Sequence, residues 1–324
     1  VRSGFLNYFG PQRFGSQVIH SFHVGAAILR HQFDHAVRLI LGDIELLGAD
    51  AADAMTWDEE MQAAQQSFLT AIRAGGDVVL AAEAALQRVP PVPGYHVERG
   101  LLRCLARGLN AEEALLRLPR QVLMLFVKSA QSLIFNKVLS HRAALGPIPA
   151  EGDLVLQGGV DGEQPVPIEL TKLASVEPEG VVLPLPGSSV RYPRSLQKVY
   201  EEASEQLLQV SLDAFSSRLP LRLKLRGVYR PAIVFTRDIS WQGVPAGEAA
   251  MQASAQCGRL LLTDVDRLEA RGLEQAPAET RMSSPAAGCN VDASEGSLLL
   301  SCILPPSSYF TAAFRELTRQ TQTS

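Results

Sequence analysis

Apolar residues recur at helical spacing through the first half of the chain. Between Val18 and Leu41 they fall at Phe22, Ala26, Leu29, Phe33, Val37 and Leu41, which predicts one helix closed by Gly42. Ala-rich sequence over 61–88 predicts one or two more, broken by Pro90, Pro91 and Pro93. Leu101 to Gly108, Ala111 to Arg117 and Arg120 to Arg142 continue the series. The last carries a stripe at Leu123, Phe126, Val127, Ala130, Leu133, Ile134 and Val138, a pattern that buries one face. After Gly146 the period changes. Short runs at Asp153 to Gln157, Val181 to Leu183, Pro231 to Trp241, Arg259 to Thr263 and Ser297 to Leu304 read as strands. Ser195 to Leu208 reads as a helix, 274–296 as a loop or linker of small residues, and Tyr309 to Arg319 as a terminal helix. The fold class is α+β, a helical middle followed by a mixed, strand-rich part.

Composition narrows the class. With 324 residues, 46% of them hydrophobic and 20% charged, the chain suits one large or two ordinary folded domains rather than a disordered segment. The net charge of −4 does not advertise a nucleic-acid binder. Phosphate responds to local patches, however, and Arg99 to Arg142 hold eight Lys or Arg against two Glu. Residues 43–60 hold seven acids and no Lys or Arg, which reads as a solvated helix face or loop. Cys104, Cys257, Cys289 and Cys302 form no C-x-x-C pair, so neither a zinc site nor a disulfide framework is indicated. No apolar run approaches the ~18 residues of a membrane span, and no membrane partner is expected. The start at Val1 rather than Met points to a piece of a longer protein.

Phosphate-loop, dinucleotide and nucleophile-elbow signatures are missing. His20 and His23 lie three apart, and His31 and His35 four apart, but no acid or Cys completes a metal set, so no metal is expected. The segment Asn7-Tyr8-Phe9-Gly10-Pro11-Gln12-Arg13-Phe14-Gly15 stands out. Its glycines allow sharp turns, its aromatic faces can stack on unpaired bases, and its Arg can clamp phosphate. An aromatic turn that plugs a core has the same composition, and both readings stand at this point.

That segment resembles the N-Y-[FY]-G-x-Q-R-F-G signature of the TruD family of RNA pseudouridine synthases. The likeness continues in order along nearly the whole chain. Gln131-Ser132-Leu133-Ile134-Phe135-Asn136 resembles the family's Q-S-x-x-[FW]-N helix. Gly152 to Leu156, Leu183 to Gly187 and Arg226 to Arg230 look like further landmarks. Leu304-Pro305-Pro306-Ser307-Ser308-Tyr309-Phe310-Thr311, followed by Arg315-Glu316-Leu317, is similar to the eukaryotic branch. Ala130 stands where an aromatic is usual, and Phe310 where a small Ala is usual, so packing around Phe310 should differ. The family's catalytic aspartate belongs to a G-x-K-D-x-x-A element upstream of the signature. This chain has no Lys-Asp pair, and Asp238, after Thr236-Arg237, lies in the wrong place.

The resemblance implies a mixed-sheet catalytic domain interrupted by a family-specific insertion. Residues 1–42 and 297–324 would belong to the first and 43–296 to the second, with RNA in the cleft between them. It implies isomerisation of uridine in RNA, tRNA foremost and small nuclear or messenger RNA in the eukaryotic branch, without a small-molecule cofactor. It also implies a missing N-terminal segment carrying the catalytic Asp, so that this chain alone would be inactive; the competing reading is a non-catalytic RNA-binding or ribonucleoprotein-assembly protein. By the same likeness Phe9 stacks on the target base and Asn7 orders the site or fixes a uracil edge. Gln12 and Arg13 are placed on RNA, Arg13 with Glu316 as an alternative partner, itself an alternative partner of Arg315. Phe14 and Tyr309 support the site as core residues. Lys128, Lys137 and Arg142 are candidates for the RNA backbone. Nucleus or cytoplasm fits the eukaryotic likeness, with an organelle left open.

Overall fold

The computed structural model describes residues 4–15, 18–48, 59–89, 96–146, 148–156, 165–169, 175–216, 219, 223–244 and 297–318. The chain divides into two compact units, Val1–Phe235 with Pro305–Ser324, and Thr236–Leu304.

The first unit begins with strand β1 (Gly4–Leu6), then helices α1 (Ser21–Leu29) and α2 (Phe33–Ile40). The single helix expected from Val18 to Leu41 is therefore two. The break is a left-handed residue, His31, with φ of 59°. The His31 amide donates to Ile28 O at 3.0 Å and the Gln32 amide to Ala27 O at 2.9 Å, which closes α1 in a Schellman motif. Glycine usually holds that position, so no sequence signal announced the stop. At the other end of α1, His20 and His23 cap the helix, and the His20 amide donates to His23 Nδ1 at 3.1 Å.

Helices α3 (Glu59–Arg73), α4 (Val78–Leu86), α5 (His96–Leu105) and α6 (Ala111–Leu116) follow. Asp77 caps α4 through Val79 and Leu80 N–H, and Asn110 with Glu113 forms the capping box of α6. Asp43, expected among solvated acids, is instead fully buried. It accepts from Arg38 Nε at 2.7 Å and from Arg73 Nη2, and so ties the end of α2 to α3. A buried carboxylate needs such partners, and two arginines from outside the acidic stretch supply them.

Helix α7 (Arg120–Ala144) is the spine. It is long and apolar enough to cross a membrane by composition, a test that core helices also pass. Leu123, Val127, Ala130, Ile134 and Val138 are buried as the periodicity predicts, and α7 packs against α1, α8 (Gln197–Leu208) and strand β4 (Val181–Leu185). Gly25 lets α1 approach closely, since a Cβ there would stand 2.2 Å from the carbonyl oxygen of Phe126.

Strands β2 (Leu154–Val155), β3 (Val166–Pro167), β4 and β5 (Val228–Pro231) form an antiparallel sheet in the order β3-β2-β4-β5. Gln131 donates to Pro186 O and Tyr200 Oη to Pro184 O at 2.7 Å, so the end of β4 is fixed to both α7 and α8. Pro231 to Trp241, expected as one strand, serves three sheets. Its first residue ends β5, and β6 (Ile233–Phe235) pairs antiparallel with β1, Phe5 facing Val234. In the second unit, β7 (Arg237–Val244) pairs antiparallel with β8 (Ser297–Ile303), with an irregularity between Arg237 and Ser240 where Asp238 takes φ of 51°. Helix α9 (Phe310–Thr318) returns to the first unit beside β1. Phe310 solves its space problem by turning out, 41% exposed, with its ring stacked on Phe314. The strand expected at Arg259 to Thr263 and the loop at 274–296 lie outside the described residues.

Candidate RNA-binding site

The Asn7–Gly15 segment leaves β1 and crosses the middle of α7. The Asn7 amide donates to Ala232 O at 2.9 Å, which continues the β1–β6 pairing into the segment. Asn136 of α7 then grips Phe9 twice. Phe9 N donates to Asn136 Oδ1 at 2.9 Å, and Asn136 Nδ2 donates to Phe9 O at 3.0 Å. A side-chain amide can make this two-way bond because it is both donor and acceptor.

The Phe9 ring is held from several sides. Phe135 meets it edge to face at 5.5 Å between centroids, and Tyr309 lies tilted at 5.8 Å. The Arg230 guanidinium sits over the ring at 4.1 Å and Arg13 at 5.6 Å. Arg230 is 5% exposed, and its Nε and Nη2 donate to Asn7 O at 3.0 Å and Asn7 Oδ1 at 2.7 Å. Burial, reinforced by the charge of Arg13, lowers the Arg230 pKa to about 10. Asn7 is 1% exposed and its Nδ2 donates to Pro231 O at 3.1 Å. Its amide is therefore engaged in ordering the segment.

These residues line one wall of a cavity of about 870 Å³. Its lining includes Arg13, Arg120, Lys128, Lys224, Arg226 and the buried Arg230, with Phe9, Tyr229 and Tyr309 between them. No carboxylate lines it among the described residues. Six cations and three aromatics around one open cavity suit a polyanion that carries stacking groups.

The expected residues divide around it. Asn7, Phe9, Arg13, Lys128 and Tyr309 meet at this cavity. Phe9 also borders a second one of about 600 Å³, together with Phe14, Lys137, Arg315 and Glu316. Phe14 packs edge to face on Phe22 at 5.9 Å. Gln12 is exposed and accepts from Thr311 Oγ1 at 3.3 Å. Arg13 Nε donates to Ser132 Oγ at 3.1 Å rather than to Glu316. Glu316 accepts from the Leu6 amide at 2.8 Å; burial raises its pKa, against the opposing effect of that bond. Arg142, expected on RNA, is turned inward. It is 6% exposed, pairs with buried Asp153 through Nη2 at 2.6 Å, and donates to Gly146 O and Ile148 O. That geometry leaves it no open edge for phosphate.

Lys224, Arg226 and Arg230 received no role from the sequence, and Arg120 only a collective one within the cationic stretch Arg99 to Arg142. A signal for two of them was present. In Leu223-Lys224-Leu225-Arg226 the leucines are buried and the cations exposed, a period-two pattern that points both cations to one side.

A family model described as tRNA pseudouridine synthase D (TruD) matches residues 1–255. The Pseudouridylate synthase 7 homolog of Mus musculus is 31% identical over 97% of this chain and 42% of its own length. A Probable tRNA pseudouridine synthase D of Pyrobaculum arsenaticum is 33% identical over 72% of this chain and 50% of its own. The crystal structure of the putative TruD of Methanosarcina mazei superposes with a TM-score of 0.65 at 18% identity, over 98% of this chain and 61% of that one, a likeness of fold.

Proposed function

Since the chain belongs to the TruD family, we propose that it is the RNA-gripping part of a pseudouridine synthase that isomerises uridine in RNA, with tRNA as its principal substrate. The chain spans about two fifths of the mouse relative's length, so the activity belongs to the whole protein. The observation that carries this reading is the cavity beside Phe9, with six cations, three aromatics and no carboxylate among the described residues that line it. Phosphates pair with its rim while an unstacked base lies on Phe9. Isomerisation breaks the uridine N1–C1′ bond and rejoins the ring through C5. It needs a carboxylate near the sugar. None lines the cavity among the described residues; by the family resemblance that group is the aspartate of a G-x-K-D-x-x-A element, which this sequence does not contain.

The test is to produce the full-length protein, incubate it with tRNA transcripts, and map pseudouridine by carbodiimide labelling and mass spectrometry. This chain alone should bind the same transcripts without modifying them. Full-length protein that binds RNA but forms no pseudouridine would instead establish the non-catalytic, RNA-assembly role.

A further inference from the structure

We propose that Arg230 is a positioning residue for the reaction, setting the Asn7 amide and the Phe9 ring rather than holding an RNA phosphate. The inference rests on the pseudouridine-synthase reading above.

A guanidinium removed from water is costly unless its charge is met. Among the described residues no carboxylate meets that of Arg230. Among the described residues its side-chain hydrogen bonds both go to one residue, to the carbonyl and the side-chain oxygen of Asn7. Two parallel bonds from one planar group fix both the backbone and the amide of their acceptor residue. With Oδ1 taken, Nδ2 is directed to Pro231 O, one residue along β5 from the arginine itself. The remaining charge lies against rings, with Phe9 at 4.1 Å, Phe135 at 5.6 Å and Tyr309 at 5.8 Å. Arg230 thus ties β5, the aromatic segment, α7 and the approach to α9 into one frame whose centre is the Phe9 ring.

Contrast the exposed cations at the cavity rim. Arg120, Lys128, Lys224 and Arg226 stand in solvent with their heads free to meet phosphate. Arg230, at 5% exposure, is spent on the protein. A lysine in its place keeps a charge but cannot form the paired bonds or the planar stack.

The experiment compares full-length wild type, Arg230→Lys, Arg230→Met and Asn7→Ala in single-turnover isomerisation, RNA binding across salt, and thermal melting. The wild-type rate is the control: no pseudouridine from wild type sinks the functional reading and the inference with it. With wild type active, the rate should fall at least about tenfold in all three variants, with Kd changed less than about threefold and an unaltered salt slope. The Arg230→Met/Asn7→Ala double variant should be little worse than either single one, because the two act as a unit. If Arg230→Lys melts below the assay temperature, Asn7→Ala carries the test from the other side of the same bonds. A near-wild-type rate in Arg230→Lys or Asn7→Ala would overturn the proposal. So would a raised Kd with a salt slope reduced by about one, the mark of a phosphate contact.

Discussion

The guanidinium of Arg230 lies 4.1 Å from the centroid of the Phe9 ring, and the same group donates twice to Asn7, two residues earlier. A half-buried, charge-braced ring beside a cationic cavity is a stiff platform for stacking. Stacking one base on such a ring is worth ~1–3 kcal/mol. Phe9→Leu in the full-length protein should therefore slow pseudouridine formation by roughly five- to 150-fold. Phe9→Tyr should keep most of the rate. Counting pseudouridine against time in a tRNA transcript decides it, and a Phe9→Leu variant at the wild-type rate removes Phe9 from the site.

The rim cations act through charge. Lys128 and Arg226 are exposed and line the same cavity. Replacing either by Ala should weaken RNA binding nearly uniformly across sequences and lower the log–log salt slope by about 0.7 to 0.9, the contribution of one phosphate contact. Lys137, on the second cavity, discriminates how far the RNA extends. If Lys137→Ala loses as much slope as Lys128→Ala, the strand passes both cavities. Affinity unchanged by Lys128→Ala and Arg226→Ala together would remove RNA from this groove.

Arg142 should behave in the opposite way. Its guanidinium pairs with Asp153, and both are nearly fully buried. Removing the cation strands a buried carboxylate, which typically costs about 3–5 kcal/mol. Arg142→Ala should lower the melting temperature sharply while the folded fraction keeps its salt slope. A reduced slope with an unchanged melting temperature would restore Arg142 to the RNA surface.

The difference between Lys128 and Arg142 shows what the sequence could tell. Both stand on α7 within one cationic stretch, and the periodicity of the stripe was legible: Leu123, Val127, Ala130, Ile134 and Val138 are buried as read. Position on the helix did not settle the fate of a long cation, because Asp153, which captures Arg142, arrives from the β2 end by tertiary packing. Asp43 makes the same point with the sign reversed, since its partners Arg38 and Arg73 lie on two different helices. The Asn7–Gly15 segment stood out by its density of glycines, amides and aromatics, which fitted an RNA contact and a core-plugging turn equally, and its place across α7 beside the cationic cavity came only with the fold. Its dependence on Arg230 was not legible, for a pairing across more than two hundred residues has no local signature. The break at His31 was hidden for a simpler reason, a left-handed position filled by a residue other than glycine.

His23 gives the fold a pH dependence with a definite sign. It is half-buried at the start of α1, where Nδ1 accepts from the His20 amide. Burial, helped by the charge of His20, lowers its pKa to about 4 from 6.5. The native state therefore refuses a proton that the unfolded chain accepts below its ordinary pKa. The stability tied to neutral His23 is fully present above about pH 6.5 and is lost progressively as pH falls toward 4. His23→Gln keeps an acceptor for the cap but cannot titrate. Melting temperature measured from pH 7 to pH 4.5 should drop less in His23→Gln than in wild type, and the His23 ring in wild type should stay neutral by NMR at pH 5.5. Equal acid losses in both proteins would move the acid sensitivity of this fold to another group.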